Sequence, residues 1–168
     1  ALFEAMFLVI VVIYLFLGNV RAALIPAVTV PVCIVGAFIL FAVTGITLNL
    51  ITLLALILAI GLVVDDAIVV MENIQRRIDL GEPPLIGAAR GARQVTFAVL
   101  STTAVLIMVF VPIVFLEGNV GRLFSELGIA IASAVALSAI VALTLSPAMC
   151  SKLLKRHEKE GRFAMKID

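Results

Sequence analysis

The sequence predicts an all-α, polytopic transmembrane helix bundle with five spans. Hydrophobic residues make up 64% of the 168 residues, charged residues make up 14%, and the mean hydropathy is +1.29. This composition lies well outside the balance found in soluble domains. The charges are also clustered, so that none falls in residues 5–20, 22–64, 94–116 or 127–151. A span needs roughly 20 apolar residues, and the second of these windows is long enough for two.

The predicted spans are separated by short connections, with one exception. They cover residues 3–18, 24–44, 48–75, 94–115 and 125–151. The exception is the connection formed by residues 76–93. Gly81-Glu82-Pro83-Pro84 should break the helix there, because proline lacks an amide donor and restricts the backbone conformation of the residue before it. Residues 85–93 alternate small, apolar and basic side chains at helical spacing, which predicts a short helix along the membrane surface. We interpret this segment as an interfacial connector anchored by arginines, with a cytoplasmic coupling element as the alternative.

Basic residues fall almost entirely on one side of the membrane. When successive connections are assigned to alternate sides, eleven basic residues lie on one side and only Arg122 lies on the other. The positive-inside rule places the basic side in the cytoplasm. The N-terminus is therefore expected on the outer side, with residues 152–168 as a cytoplasmic tail. Because Ala1 directly precedes a span and Glu4 replaces a positive flank, we expect a piece of a longer protein without a signal peptide.

Asp65 and Asp66 stand side by side in the third predicted span. A carboxylate near the centre of a membrane helix costs about 2.5–3.5 kcal/mol on insertion scales, so two adjacent ones require a reason. Neighbours on a helix differ in direction by about 100°, so one should face the bundle centre and the other an adjacent helix. Such a pair titrates as a unit, and its protonation decides whether a basic partner is held or released. The spans contain no basic residue, so this partner must come from elsewhere, and the pair predicts ion-coupled transport.

Small residues surround the acid pair. Gly61 lies four residues before Asp65 and therefore on the same helix face, and Ala59 and Ala67 are close by. Small side chains let a neighbouring membrane helix approach closely. The pattern predicts helix packing around the pair, with Gly61 as the packing residue nearest to it.

No other chemistry can be assembled from the sequence. Cys33 and Cys150 lie in apolar helices without partner spacing, so we interpret both as small buried side chains. His157 lies in the lysine-rich tail and is expected to be solvated. There is no metal-ligand cluster, no glycine-rich phosphate loop and no Ser/His/Asp arrangement. We therefore expect no metal, no cofactor and no nucleic acid.

An intramembrane aspartyl protease is one alternative, because such enzymes also hold two aspartates in the membrane. Their chemistry requires carboxylates that face each other from different helices, whereas Asp65 and Asp66 are sequential on one helix. Residues 61–65 also lack the Gly-x-Gly-Asp arrangement of those proteases, so we expect no enzyme. The stronger alternative to a transporter is a membrane scaffold or channel segment in which the buried acid pair is structural.

Residues 59–73, AIGLVVDDAIVVMEN, closely resemble the fourth transmembrane helix of resistance-nodulation-division (RND) efflux pumps. The segment YLFLGNVR at residues 14–21 looks like the family's link between its second and third helices. Proline motifs follow in the order of the later helices, at residues 24–26, 30–32, 111–113 and 145–148. The adjacent Asp-Asp form is similar to that of the hydrophobe/amphiphile (multidrug) branch, which exports drugs, dyes and detergents.

The resemblance implies helices two to six of a twelve-helix proton antiporter of the bacterial inner membrane, half of an RND transmembrane domain. In that family the aspartates matching Asp65 and Asp66 bind the translocated protons, opposite a lysine in the other half. A homotrimer, a periplasmic adaptor and an outer-membrane channel are the implied partners, beside protons and the lipid bilayer. The predicted function is drug/proton antiport, with Asp65 and Asp66 as the proton relay.

Overall fold

The computed structural model describes residues 1–155 and forms five α-helices and no strand within that range. The helices are α1 (Leu2–Leu17), α2 (Val20–Thr44), α3 (Leu50–Asp79), α4 (Pro84–Val114) and α5 (Gly118–Leu153). Helices α2 to α5 are long and apolar enough to cross a membrane, and α1 is a shorter apolar helix of 16 residues. The predicted all-α transmembrane bundle is confirmed.

Local sequence signals account for the helix ends. Asn49 caps α3: its side chain accepts hydrogen bonds from two main-chain amides at 2.9 Å, and it shares a capping box with Thr52. Such a cap stabilises a helix by roughly 1 kcal/mol. α1 and α2 end at Gly18 and Gly45, both in the left-handed conformation that glycine adopts without steric cost.

The third connection differs from its prediction. α3 ends at Asp79, as the helix break predicted at Gly81-Glu82-Pro83-Pro84 requires, but α4 already begins at Pro84. Proline is well suited to the first turn of a helix, where its missing amide donor is not needed. α4 therefore runs unbroken through residues 85–93 into the apolar span. The predicted separate surface helix is wrong, because Pro83-Pro84 starts the next helix at once, and only residues 80–83 connect α3 to α4.

α3 lies at the centre of the bundle. It packs against all four other helices, and α5 also packs against α2 and α4. Many buried positions of α5 are small, including Ala130, Ala134, Ala139 and Ala142, which allow helices to approach closely. We call the end of the bundle with the α3–α4 turn the inner end, and the end with the α2–α3 turn the outer end.

Candidate functional site at the acid pair

Asp66 lies on the side of α3 that faces α5. Its Oδ2 accepts a hydrogen bond from the Ser138 hydroxyl at 2.9 Å, and the same hydroxyl lies 3.3 Å from the Val63 carbonyl oxygen. Ser138 is fully buried, with 0% of its surface exposed, and Asp66 is half-buried. A hydrogen bond to a charged group is worth about 1.5–3 kcal/mol. Ser138 therefore gives this carboxylate a donor inside the bundle.

Asp65 lies on a different side of α3, in a stripe that no other helix of the described chain covers. The stripe repeats at three- and four-residue spacing, as one face of a helix does. Its exposed members are Leu54, Leu58, Gly61, Asp65, Val69 and Glu72. Leu54 and Leu58 are 51% and 53% exposed. A carboxylate on an uncovered membrane-helix face requires a polar neighbour, so this stripe is where a further helix would contact the pair.

The two carboxylates thus diverge, as the helical geometry predicts. Asp66 contacts a neighbouring helix of this chain, whereas Asp65 faces outward from it. Within residues 1–155, the ion pairs lie at the N-terminus and at the inner end of the bundle, and none includes either aspartate. The basic partner therefore stays a prediction, and so does the role of the pair as a proton relay.

Gly61 is not contacted by any helix of the described chain. A Cβ atom added at this position would meet nothing within 4 Å. Ala59 and Ala67, by contrast, are buried at 1% and 0% exposure and pack inside the bundle. The small residues near the pair are therefore divided: the alanines face this chain, and Gly61 shares the uncovered stripe with Asp65. Packing against Gly61 by a helix from elsewhere remains a prediction.

The sequence alone did not identify Ser138. α5 also carries Ser133, Thr144 and Ser146, and a hydroxyl in an apolar span does not by itself indicate which helix it faces. Placing Ser138 beside Asp66 depends on the register between α3 and α5, which are far apart in the sequence. The one available signal is that Ser138 lies near the middle of its predicted span.

Both cysteines are free and buried, as predicted, with Cys33 at 2% and Cys150 at 0% exposure. In residues 1–155, no group of three or more His, Cys, Asp and Glu side chains could hold a metal ion. His157 lies outside the described residues, as does most of the tail predicted over residues 152–168.

A sequence model of the AcrB/AcrD/AcrF family matches residues 1–167, nearly the whole chain. The chain belongs to this RND transporter family. This match confirms the resemblance, which rested on the adjacent aspartates of α3.

Curated relatives of this AcrB/AcrD/AcrF family chain support the same assignment. Multidrug resistance protein MdtC of Yersinia pseudotuberculosis is 46% identical over 155 residues in strain IP 31758 (serotype O:1b), strain YPIII (serotype O:3) and strain PB1/+ (serotype IB). The alignment covers 92% of this chain and 15% of each relative. The chain therefore spans about 15% of the length of the curated relatives that it matches.

Proposed function

We propose that this chain is the proton-translocating part of a longer inner-membrane multidrug efflux transporter, in which Asp65 and Asp66 couple proton entry to drug export. The observation that carries this proposal is the division of the two carboxylates. Asp66 accepts a hydrogen bond from Ser138 inside the bundle, and Asp65 lies on the uncovered stripe of α3. Membership of the AcrB/AcrD/AcrF family and the names of the relatives support multidrug export.

In the proposed cycle, protons enter from the periplasmic side and neutralise the pair. Neutralisation releases a basic partner that contacts the uncovered stripe of α3 from another part of the transporter. α3 then shifts, and release of the protons into the cytoplasm resets it. Residue 1 lies on the periplasmic side in this proposal, and the C-terminus lies in the cytoplasm.

The available energy is sufficient for this cycle. A membrane potential supplies about 2.3 kcal/mol per charge per 100 mV, and a pH difference supplies about 1.4 kcal/mol per unit. The hydrogen bond between Ser138 and Asp66 is of similar size, at about 1.5–3 kcal/mol. The free energy released when one proton moves down its gradient can therefore offset the cost of breaking this hydrogen bond. In the family arrangement, a homotrimer hands the drug to a periplasmic adaptor and an outer-membrane channel.

A scaffold or channel segment with a structural acid pair is the alternative function. The Ser138 hydrogen bond is compatible with it, because a satisfied carboxylate can simply hold two helices together. Membership of the AcrB/AcrD/AcrF family and the names of the relatives favour the transporter over this alternative.

The test is to make Asp65→Asn and Asp66→Asn separately in the full-length transporter and to measure ethidium efflux from cells that lack other pumps. Each substitution removes a titratable group at almost constant volume, so efflux should fall to background while expression and assembly persist. Glu117→Gln, an exposed carboxylate at the start of α5, is the matched control and should keep efflux. Full efflux in both aspartate variants would contradict the proposal. Failed assembly in both would favour the structural alternative.

A further inference from the structure

α3 and α4 are in direct backbone contact at the inner end of the bundle. Gly87, Ala88, Gly91 and Ala92 form the buried face of α4 at this crossing. A Cβ atom added at Gly91 would lie 2.9 Å from the Ile74 Cα and 3.2 Å from its amide nitrogen. Carbon atoms in ordinary contact are about 3.5–4.0 Å apart, so the crossing holds no spare space.

A polar network surrounds the same crossing. The Asn73 side-chain amide donates to the Gly91 carbonyl oxygen at 2.8 Å and to Gln94 Oε1 at 3.2 Å. Gln94 Oε1 also accepts from Arg77 Nε at 2.9 Å. Arg77 forms an ion pair with Glu82 at 2.6 Å, and Glu82 lies in the α3–α4 connection. Asn73, Arg77 and Gln94, which we call the α3–α4 clamp, therefore join the two helices by side chains as well as by packing.

Two members of the clamp, Asn73 and Arg77, lie on the same helix as the acid pair. Asn73 follows Asp66 by two helical turns, a distance of about 10 Å along the axis. No glycine or proline lies between Asp66 and Arg77, so nothing in that stretch is expected to kink the helix. The axial position that the clamp imposes on α3 is therefore also the axial position of the two carboxylates.

The clamp also differs in chemistry from the contact at Asp66. The Asp66–Ser138 bond uses a carboxylate, which loses an acceptor site when it is protonated. Asn73 and Gln94, by contrast, are carboxamides that do not titrate. Protonation of the acid pair can therefore alter the contact between α3 and α5 while the contact between α3 and α4 stays the same.

We infer that Asn73 and Gln94 are positioning residues that lock α3 to α4 in one axial register through both protonation states of the acid pair. This inference rests on the proposed function. It makes α3 and α4 one moving unit, whose position sets the height of Asp65 and Asp66 in the membrane.

The first test uses conservative and disruptive changes at Gln94 in the full-length transporter. Gln94→Glu keeps an acceptor for both Asn73 and Arg77, so ethidium efflux should stay within twofold of the parent. Gln94→Leu removes the acceptor of both hydrogen bonds, so efflux should fall roughly fivefold or more. Gln94 is exposed, so neither change disturbs the packed core of the bundle. Equal efflux in the two variants would overturn the inference.

The second test replaces the hydrogen bond with a covalent link. In a background with Cys33→Ala and Cys150→Ala, the pair Asn73→Cys and Gln94→Cys removes the clamp, and a short bifunctional thiol reagent then rejoins the helices. Linking should restore efflux in the same preparation, because the clamp only has to hold the register. Each single cysteine variant treated with the reagent is the control and should show no recovery. No recovery in the linked pair would overturn the inference.

A third measurement is independent of transport and so separates this inference from the proposed function. The distance between spin labels on cysteines at Arg76 and Arg93, exposed positions of α3 and α4 that leave the clamp intact, is compared in the parent acid pair and in an Asp65→Asn, Asp66→Asn background that mimics neutralisation. A fixed register predicts distances that agree within about 1.5 Å, the rise of one helical residue. A larger difference would show that α3 moves against α4, even if efflux behaves as proposed. Full efflux in the Asp65→Asn, Asp66→Asn variant, with equal distances, would instead count against the proposed function alone.

Discussion

Gly91→Ala should loosen the inner crossing between α3 and α4, and Gly61→Ala provides a matched comparison on the same bundle. Both changes add one methyl group to a glycine inside a helix. Alanine is favoured over glycine there by about 0.8–1.0 kcal/mol, and this gain is common to both variants. The difference between them therefore isolates the steric effect of the added Cβ.

The structure sets the size of that effect. At Gly91 the new Cβ would lie 2.9 Å from the Ile74 Cα, so reaching ordinary contact of about 3.5–4.0 Å requires the helices to separate by roughly 0.6–1.1 Å. The same separation would lengthen the 2.8 Å bond from Asn73 to the Gly91 carbonyl oxygen. Overpacking of this kind costs about 1–3 kcal/mol. At Gly61 there is no atom within 4 Å, so no steric cost arises within this chain.

Amide hydrogen exchange measured by mass spectrometry reports this cost locally in the full-length transporter. A loss of 1–3 kcal/mol corresponds to roughly 5- to 150-fold faster exchange, since about 1.4 kcal/mol is a factor of ten. Relative to the parent, the exchange rate of peptides from residues 84–94 in Gly91→Ala should rise at least about fivefold more than that of peptides around residue 61 in Gly61→Ala, because each peptide carries the same gain from alanine. Equal changes in the two sets of peptides would refute the argument that the crossing is sterically full.

Three further predictions concern the site and the ends of α3. Ser138→Ala removes a hydrogen bond of about 1.5–3 kcal/mol to Asp66, so ethidium efflux should fall roughly tenfold or more. Ser133→Ala on the same helix should leave efflux unchanged. Equal losses of efflux in the two variants would argue against a specific contact at Ser138. Asn49→Ala removes the cap of α3 and its 2.8 Å bond to Glu126, so amides at the start of α3 should exchange at least fivefold faster, consistent with a loss of about 1–2 kcal/mol. Gly61→Leu should abolish efflux without lowering expression, because the bulky side chain would occupy the stripe needed by a partner helix; full efflux would mean that this stripe is not packed closely.

The positions of the helices were largely predictable from charge. Charge-free windows such as residues 22–64 locate spans because a charged side chain in the membrane is expensive. The divergence of Asp65 and Asp66 was predictable for an equally local reason, the 100° turn between helical neighbours. Both arguments need only the composition and geometry of a single helix.

The contacts between helices were not predictable in the same way. Ser138 is one of several hydroxyl residues on α5, and only the packing register selects it as the partner of Asp66. The bond between Asn73 and Gln94 likewise depends on how tightly the α3–α4 turn closes. The sequence suggested an extended connection there, but Pro84 begins α4 at once and brings the two side chains together.

Direct measurement of proton movement tests the central claim most closely. The full-length transporter is placed in proteoliposomes with a pH-sensitive dye trapped inside, a pH gradient is imposed, and proton flux is followed as ethidium is added. We predict that ethidium accelerates proton flux in the parent and in Glu117→Gln, and that this acceleration is absent in Asp65→Asn and in Asp66→Asn. Ethidium-dependent proton flux that persists in both aspartate variants would contradict the assignment of the acid pair as the proton relay.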